Sequence, residues 1–320
     1  MEIQFKSTGA ASGFETWLNA FKSVSKTLLI EIDTEKGEFV AKCPSEEKTV
    51  LKYGHISFED AGFEVLKMKD ASDNDITIED WNASLDKNDA KRAAGHRILF
   101  GINEMLPKFI NVVSTFNSSK EYKVSFKFVE IDNDLAGSFF GRKPDEIVKV
   151  KEYATTRVEF KSVALTMRVG GADVSEFKKR ISDEIFTKRV ITVQKPMEFE
   201  LDVEVIKSLI SVAGILTTDI SKDLIDFKTV KDGDNWTLHA VNHSDANYDY
   251  TIAYLTAGST EEPAETLIPI NLNNFILSTK GDIDNEKIII SGEPNDGTKQ
   301  GKVRLDCGDF ITTIASVRVS

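Results

Sequence analysis

The sequence predicts an α+β protein of two similar domains, each with two short helices packed on antiparallel sheets. Three observations lead there. Four segments repeat one order: a short strand, a short amphipathic helix, then two or more strands. Helical segments carry apolar residues at i, i+3, i+4 and i+7, whereas strand segments alternate with period two. The length of 320 residues accommodates about two domains, each able to bury its own core.

Residues 1–5 (MEIQF) read as a strand. Residues 12–26 (SGFETWLNAFKSVSK) read as a helix with Ser12 as N-cap and Phe14, Trp17, Leu18 and Phe21 as its apolar stripe. Strands follow at 27–33 and 38–43 around the turn TEKG, where Gly37 is free to take positive φ, and 48–58 continues the sheet. Residues 67–95 are polar and charge-rich and read as an insertion or surface excursion. The second segment opens with a strand at 96–102. Its helix, 103–116 (NEMLPKFINVVSTF), has Asn103 as cap and Pro107 in the first turn. Met105, Leu106, Phe109, Ile110, Val112, Val113 and Phe116 form its apolar arc. Strands follow at 122–131, 135–143, 147–153, 156–162 and 163–169.

Residues 170–196 read as a connector with a short helix over 174–186. The third segment has a strand at 197–201, a helix at 201–214 (LDVEVIKSLISVAG) and strands at 223–230, 236–242 and 250–255, with the turn KDGD between the first two. The fourth has a strand at 265–270, a helix over 271–282 and strands at 287–293, 301–307 and 309–319. The domains are thus expected at 1–169 and 197–320, joined by 170–196.

Hydrophobic content of 41% and charged content of 29% are ordinary for a folded soluble chain. The start MEIQFKSTGA lacks a basic stretch followed by an apolar run, so no secretory signal is expected. No segment approaches the roughly 20 apolar residues that cross a bilayer, so no membrane partner is expected. Cys43 and Cys307 are too sparse for a disulfide framework, which favours a reducing cytoplasm. His239 and His243 have i, i+4 spacing on a strand, roughly 13 Å apart, too far to share an ion. DASDNDITIED lacks the glycine and glutamate of a calcium loop, and LAGSFFG and RVGGAD lack a phosphate-loop lysine. His55 and His96 have no evident nucleophile partner. No catalytic residue, metal or cofactor is expected.

The formal charge of -12 repels nucleic acid at long range, so the placement of lysines matters more than the sum. Lys22 and Lys26 lie off the aromatic stripe beside Asn19 and Ser23. Lys108 lies with Asn111, Ser114 and Thr115, and Lys207 with Ser208 and Ser211. Lys280 ends the fourth helix on the side of Asn273, and Lys120 and Lys222 follow two helices closely. Acidic residues cluster near helix N-termini (Glu15, Glu104, Asp202, Glu204), where the dipole favours them. Any one such lysine is an ordinary wet-face residue. Repetition across four helices, with small polar neighbours, points to faces that a polyanion approaches.

FETWLNAFKSVSKTLLIEIDTEKGEFVA, VEVIKSLISVAGILTTDISKDLIDFKTVKDGDNWTLHAVN and KVRLDCGDFITTIASVRVS resemble the DNA sliding clamps, closest to the two-domain type of the proliferating-cell-nuclear-antigen family and of bacteriophages. The likeness is one of pattern and covers most of the chain except 67–95 and parts of 142–196. It implies a processivity fold whose subunits join head to tail into a closed ring, most simply a homotrimer, around duplex DNA. It implies a clamp-loader ATPase that opens the ring and a DNA polymerase that docks in an apolar pocket near the connector and C-terminus. On this resemblance Lys22, Lys26, Lys108, Lys207 and Lys280 line the ring, with Lys120 and Lys222 flanking. Val190 and Val193 of the connector, with Val317, Arg318 and Val319 of the tail, form the pocket. The alternative reading is a β-rich structural or virion protein without DNA binding.

Overall fold

A computed structural model of the chain describes residues 1–9, 12–85, 97–119, 121–136, 147–175, 177, 197–216, 223–242, 249–254, 265–279, 287–297 and 299–317. The chain divides into two compact units. One comprises Met1–Lys22, Lys26–Lys42 and His55–Arg180, the other Ser23–Ser25, Cys43–Gly54 and Ile181–Ser320.

From the N-terminus the elements are β1 (Glu2–Ser7), α1 (Ser12–Lys22), β2 (Leu28–Asp33), β3 (Glu38–Pro44), β4 (Val50–Ser57), β5 (Phe63–Lys69), β6 (Asp75–Ile76), α2 (Ile78–Ser84), β7 (Arg97–Ile102), α3 (Leu106–Asn117), β8 (Lys123–Ala136), β9 (Ile147–Lys161) and β10 (Thr166–Gly170). Then come β11 (Met197–Asp202), α4 (Val203–Leu216), β12 (Leu224–Asp232), β13 (Asn235–Asn242), β14 (Asp249–Tyr254), β15 (Leu267–Asn271), α5 (Leu272–Thr279), β16 (Lys287–Glu293), β17 (Lys302–Asp306) and β18 (Phe310–Ala315).

Each unit is built by the same exchange of strands. In the first, β1 pairs antiparallel with β8 of the other repeat, Ile3 opposite Phe126, as well as with β5, while β7 pairs antiparallel with β2, Ile98 opposite Ile32. In the second, β11 pairs with β16, Phe199 opposite Ile290, while β15 pairs with β12, Ile270 opposite Ile225. The strand before each helix therefore completes the other repeat's sheet, so neither repeat can close its core alone. The second helix of each unit also starts on the same backbone cap. Leu106 N–H donates to Lys26 O and Leu272 N–H to Asp223 O, both at 3.0 Å, which satisfies one of the donors a helix start leaves open.

Phenylalanine fills the first unit. Phe14, Trp17, Leu18 and Phe21 of α1 are all nearly inaccessible, as are Phe109, Val113 and Phe116 of α3. Phe100 meets Phe109 at 5.3 Å, and Phe5 meets Phe58 at 5.0 Å, in the tilted and edge-on geometries ring quadrupoles favour. The second core is mainly aliphatic, with Ile206, Leu238, Ile268, Ile290 and Val303 buried around the Phe227–Phe275 pair.

Several expectations change. Helix α1 ends at Lys22, so Lys26 lies beyond it. Asn103 does not cap α3. Met105 holds that position without a side-chain cap, because the Asn103 side chain accepts from Thr27 Oγ1 at 3.2 Å while Thr27 Oγ1 takes the Glu104 N–H at 3.0 Å. Met105 is 47% exposed rather than part of the apolar arc. Residues 147–161 form one strand, not two. The stretch 67–95 is more than a surface excursion. Trp81 of α2 is buried and packs edge-on against Tyr153 at 4.8 Å and Phe128 at 5.7 Å. A reciprocal Thr77–Asp80 capping box starts α2, and Asn82 clips it to Thr34 through bonds of 2.8 and 3.0 Å. A tryptophan in a charged stretch was the available signal. The expected helix over 174–186 and the strand over 135–143 lie largely outside the described residues. No described helix is long and apolar enough to cross a membrane.

Candidate nucleic-acid interface

Packing explains which helix residues face outward. The aromatic stripe of α1 is driven into the core, which leaves Thr16, Asn19 and Lys22 exposed; Lys26 is exposed just past the helix. The arc of α3 leaves Lys108, Asn111, Thr115 and Ser118 exposed. On α4, Glu204, Lys207, Ser208 and Ser211 are exposed. Lys120, Lys222 and Lys280 lie outside the described residues.

The small polar side chains on these faces bond their own helices. Asn19 Nδ2 donates to Glu15 O at 3.0 Å, Thr115 Oγ1 to Asn111 O at 2.7 Å, and Ser211 Oγ to Lys207 O at 2.9 Å. These bonds spend part of the donor capacity of each face on the helix backbone, and the Asn19 amide keeps a second N–H. A polar relay also ties α1 to the end of α3. Tyr122 Oη donates to Asn117 Oδ1 at 2.8 Å, and Asn117 Nδ2 donates to Glu15 Oε2 at 2.7 Å. Burial, reinforced by the Glu15 charge, pushes the Tyr122 phenol well above its ordinary range. Glu15 is thereby held between the helices rather than among the lysines.

Helix α5 shows no counterpart to these lysines among the described residues. Its described residues carry no charge, and Asn274 Nδ2 donates to Thr49 Oγ1 at 3.1 Å. The fully buried Lys52 lies against it: its Nζ donates to Ser278 O at 3.4 Å and lies 5.1 Å from the centre of the Phe310 ring. A cation there complements the negative helix end. Sequence reading placed Lys52 only in a strand, because the pairing that buries it is remote.

Chemistry of other kinds finds little here. Among the described residues no group of three His, Cys, Asp or Glu side chains is placed to hold a metal. Cys43 and Cys307 are buried thiols not joined in a disulfide.

The opposite face of the same sheet differs. Leu51, Thr313 and Arg304 are cross-strand neighbours, as are Tyr53, Ile311 and Asp306, and Leu51, Tyr53 and Ile311 form a small apolar cluster. Thr313 is buried, and neither its Oγ1 nor Arg304 Nε has a hydrogen-bond partner among the described residues. Of the expected pocket residues, Val317 is half-buried, its N–H donating to Pro269 O at 2.8 Å. Val190, Val193, Arg318 and Val319 lie outside the described residues.

No protein-family model matches the sequence, and no curated protein matches it. Solved structures do match its fold. The PCNA of A. fulgidus, solved with the C-terminal region of FEN-1, superposes with a TM-score of 0.54 at 13% identity, over 99% of both chains. The chain has the sliding-clamp fold. Bacterial clamps match as well: a putative DNA polymerase III beta subunit of Eubacterium rectale (TM-score 0.56, 12% identity, 100% of this chain) and the sliding clamp of Pseudomonas aeruginosa (0.55, 10%, 99%). This chain spans only 66% and 67% of those two, against 99% of the archaeal clamp, so its extent is that of the two-domain type.

Proposed function

We propose that this chain is the subunit of a DNA sliding clamp, a non-enzymatic tether that encircles duplex DNA and holds a replicative DNA polymerase on its template. The observation that carries the reading is the pairing of the clamp fold with exposed lysines on the outward faces of α1, α3 and α4, set among polar groups already bonded to their own helices. Phosphate contact through lysine is independent of sequence. Hydroxyls spent on the helix backbone have no proton left for a phosphate, which suits a ring that must slide. Retention then comes from topological linkage rather than affinity.

The repeat also points to the joint between subunits. Within the second unit, β18 pairs with Val50–Gly54 of β4, so the last strand of one repeat meets the third strand of another. The equivalent strands elsewhere are β10 and β14. Among the described residues β10 pairs only with β9, and β14 only with β13. Head-to-tail pairing of β10 with β14 of the next copy uses both free edges and closes a ring of three two-unit chains. The loop before β10 carries the exposed apolar Val163 and Leu165, which such a joint would cover. The partner peptide, including that of the polymerase, is assigned to the Leu51, Tyr53 and Ile311 cluster. A loader ATPase opens the ring.

Native mass measurement with electron microscopy tests the reading. A trimer with a central hole, and polymerase products lengthened when it is loaded, are expected. A persistent monomer or a large shell assembly, without effect on product length, would instead favour a structural protein.

A further inference from the structure

The four helices do not offer equal charge. Lys22, Lys26 and Lys108 are exposed, and none forms an ion pair among the described residues. Glu15 is turned away onto Asn117. Glu104, four residues before Lys108, lies outside α3 at φ 54° and makes no ion pair with it. On α4, by contrast, Lys207 Nζ sits 2.8 Å from Glu204 Oε1, one turn away. From Leu272 to Thr279, α5 has no charged residue at all.

We infer that the grip on duplex DNA is uneven: α1 and α3 of the first unit, with Lys26 beside them, supply the phosphate contacts, while α4 and α5 form a nearly neutral surface over which the backbone passes. This rests on the clamp reading. The physical reason lies in what a phosphate meets. A lone ammonium attracts it as a full charge. The Lys207–Glu204 pair acts as a dipole, whose field falls faster with distance. Both side chains are exposed, so the pair opens easily. Opening gains little, because Glu204 stays on the same face and repels the phosphate that Lys207 attracts.

Each lysine that contacts phosphate steepens the dependence of log affinity on log salt by about 0.9, which makes about a 3.5-fold difference between 50 and 200 mM salt. The probe is a fluorescein-labelled 30-base-pair duplex, titrated with the full chain and followed by anisotropy. In the double variant K22Q/K108Q the slope flattens by about 1.8 for each subunit that grips the duplex, so the loss of affinity over that salt range shrinks by about 12-fold per gripping subunit. Lys207→Gln removes the same formal charge and leaves the slope unchanged. Glu204→Gln frees Lys207 and steepens the slope by about 0.9 for each subunit that grips the duplex. All four side chains are exposed, and circular dichroism confirms that each variant folds. A slope loss in K207Q as large as in K108Q, or in K222Q or K280Q, overturns the uneven grip and leaves the clamp reading standing. A wild-type chain with no salt-dependent binding, or slopes unchanged in all variants, overturns the grip through these lysines, while the clamp reading falls separately, on a persistent monomer without effect on polymerase product length.

Discussion

The position of α1 depends on a missing side chain. A Cβ built on Gly13 lies 2.0 Å from the backbone oxygen of Asp60 and 3.1 Å from its carbonyl carbon. Real Cβ contacts essentially never fall below 3.0 Å, so Gly13→Ala must open this contact by at least 1 Å. The obstacle is backbone, followed by the fully buried Ala61, and cannot rotate away. Helix propensity alone favours alanine by about 1 kcal/mol. Overpacking of this kind costs about 1–3 kcal/mol, and the rigid contact places it at or beyond the upper end. The net expectation is a loss of about 2 kcal/mol, which lowers Tm by about 4–8 °C for a unit of this size. Thermal unfolding followed by tryptophan fluorescence reports it, since Trp17 and Trp81 both lie in the first unit. Gly170→Ala is the matched control. Nothing lies within 4 Å of its Cβ position and its φ is ordinary, so it is neutral or mildly stabilising. A Gly13→Ala protein as stable as wild type would refute the claim that close approach to Asp60, rather than helix propensity, sets where α1 enters.

Three further outcomes follow from other contacts. Trp81→Ala empties a buried site between Tyr153 and Phe128 and should cost about 3–5 kcal/mol in denaturant titration; a change below about 0.5 kcal/mol would return α2 to the status of surface decoration. Tyr122→Phe removes the hydrogen bond to Asn117 at about 1 kcal/mol. Because the folded phenol ionises above its unfolded value near 10, its contribution is complete below that pH and is lost above it, so the Phe variant should lose less stability in alkali than wild type. The hydrogen bond from Arg168 Nε at 2.6 Å, more than the charge itself, holds the Glu159 carboxyl below its ordinary range. A depressed carboxyl stabilises above its unfolded pKa near 4.3 and loses that contribution as pH falls through the folded value. Amide protection on β10 should therefore drop in acid relative to β8, and Arg168→Met should remove the difference. Equal acid sensitivity in both proteins would exclude that ion pair as the clasp of the β9–β10 hairpin.

The helical stripes were legible because a 3.6-residue period is written locally: Phe14, Trp17, Leu18 and Phe21 are as buried as their spacing demands. The candidate lysines of α1, α3 and α4 were legible for the same reason, being what remains once the stripe is inward. The Lys207–Glu204 pair was readable too, at a spacing of three residues, but attention to acid near helix N-termini assigned Glu204 to the dipole alone. Asn103 was misassigned because capping depends on which donor is free, and Thr27, far away in sequence, had already claimed it. Trp81 was lost in a stretch judged by its average polarity, when one large apolar residue suffices to bind a short helix to the core.

By itself, then, the chain determined its four strand–helix–strand segments, their apolar faces and the residues left facing water, since each is fixed by neighbours within a turn or two. Only the tertiary structure decided that β1 and β11 pair with the opposite repeat, that Lys52 is enclosed under α5, and that among the described residues β10 and β14 pair on one side only. Those outcomes depend on pairings between residues more than a hundred positions apart in some cases, such as Ile3 with Phe126, where backbone hydrogen bonding is the same for every sequence and only the fit of whole buried faces selects the partner.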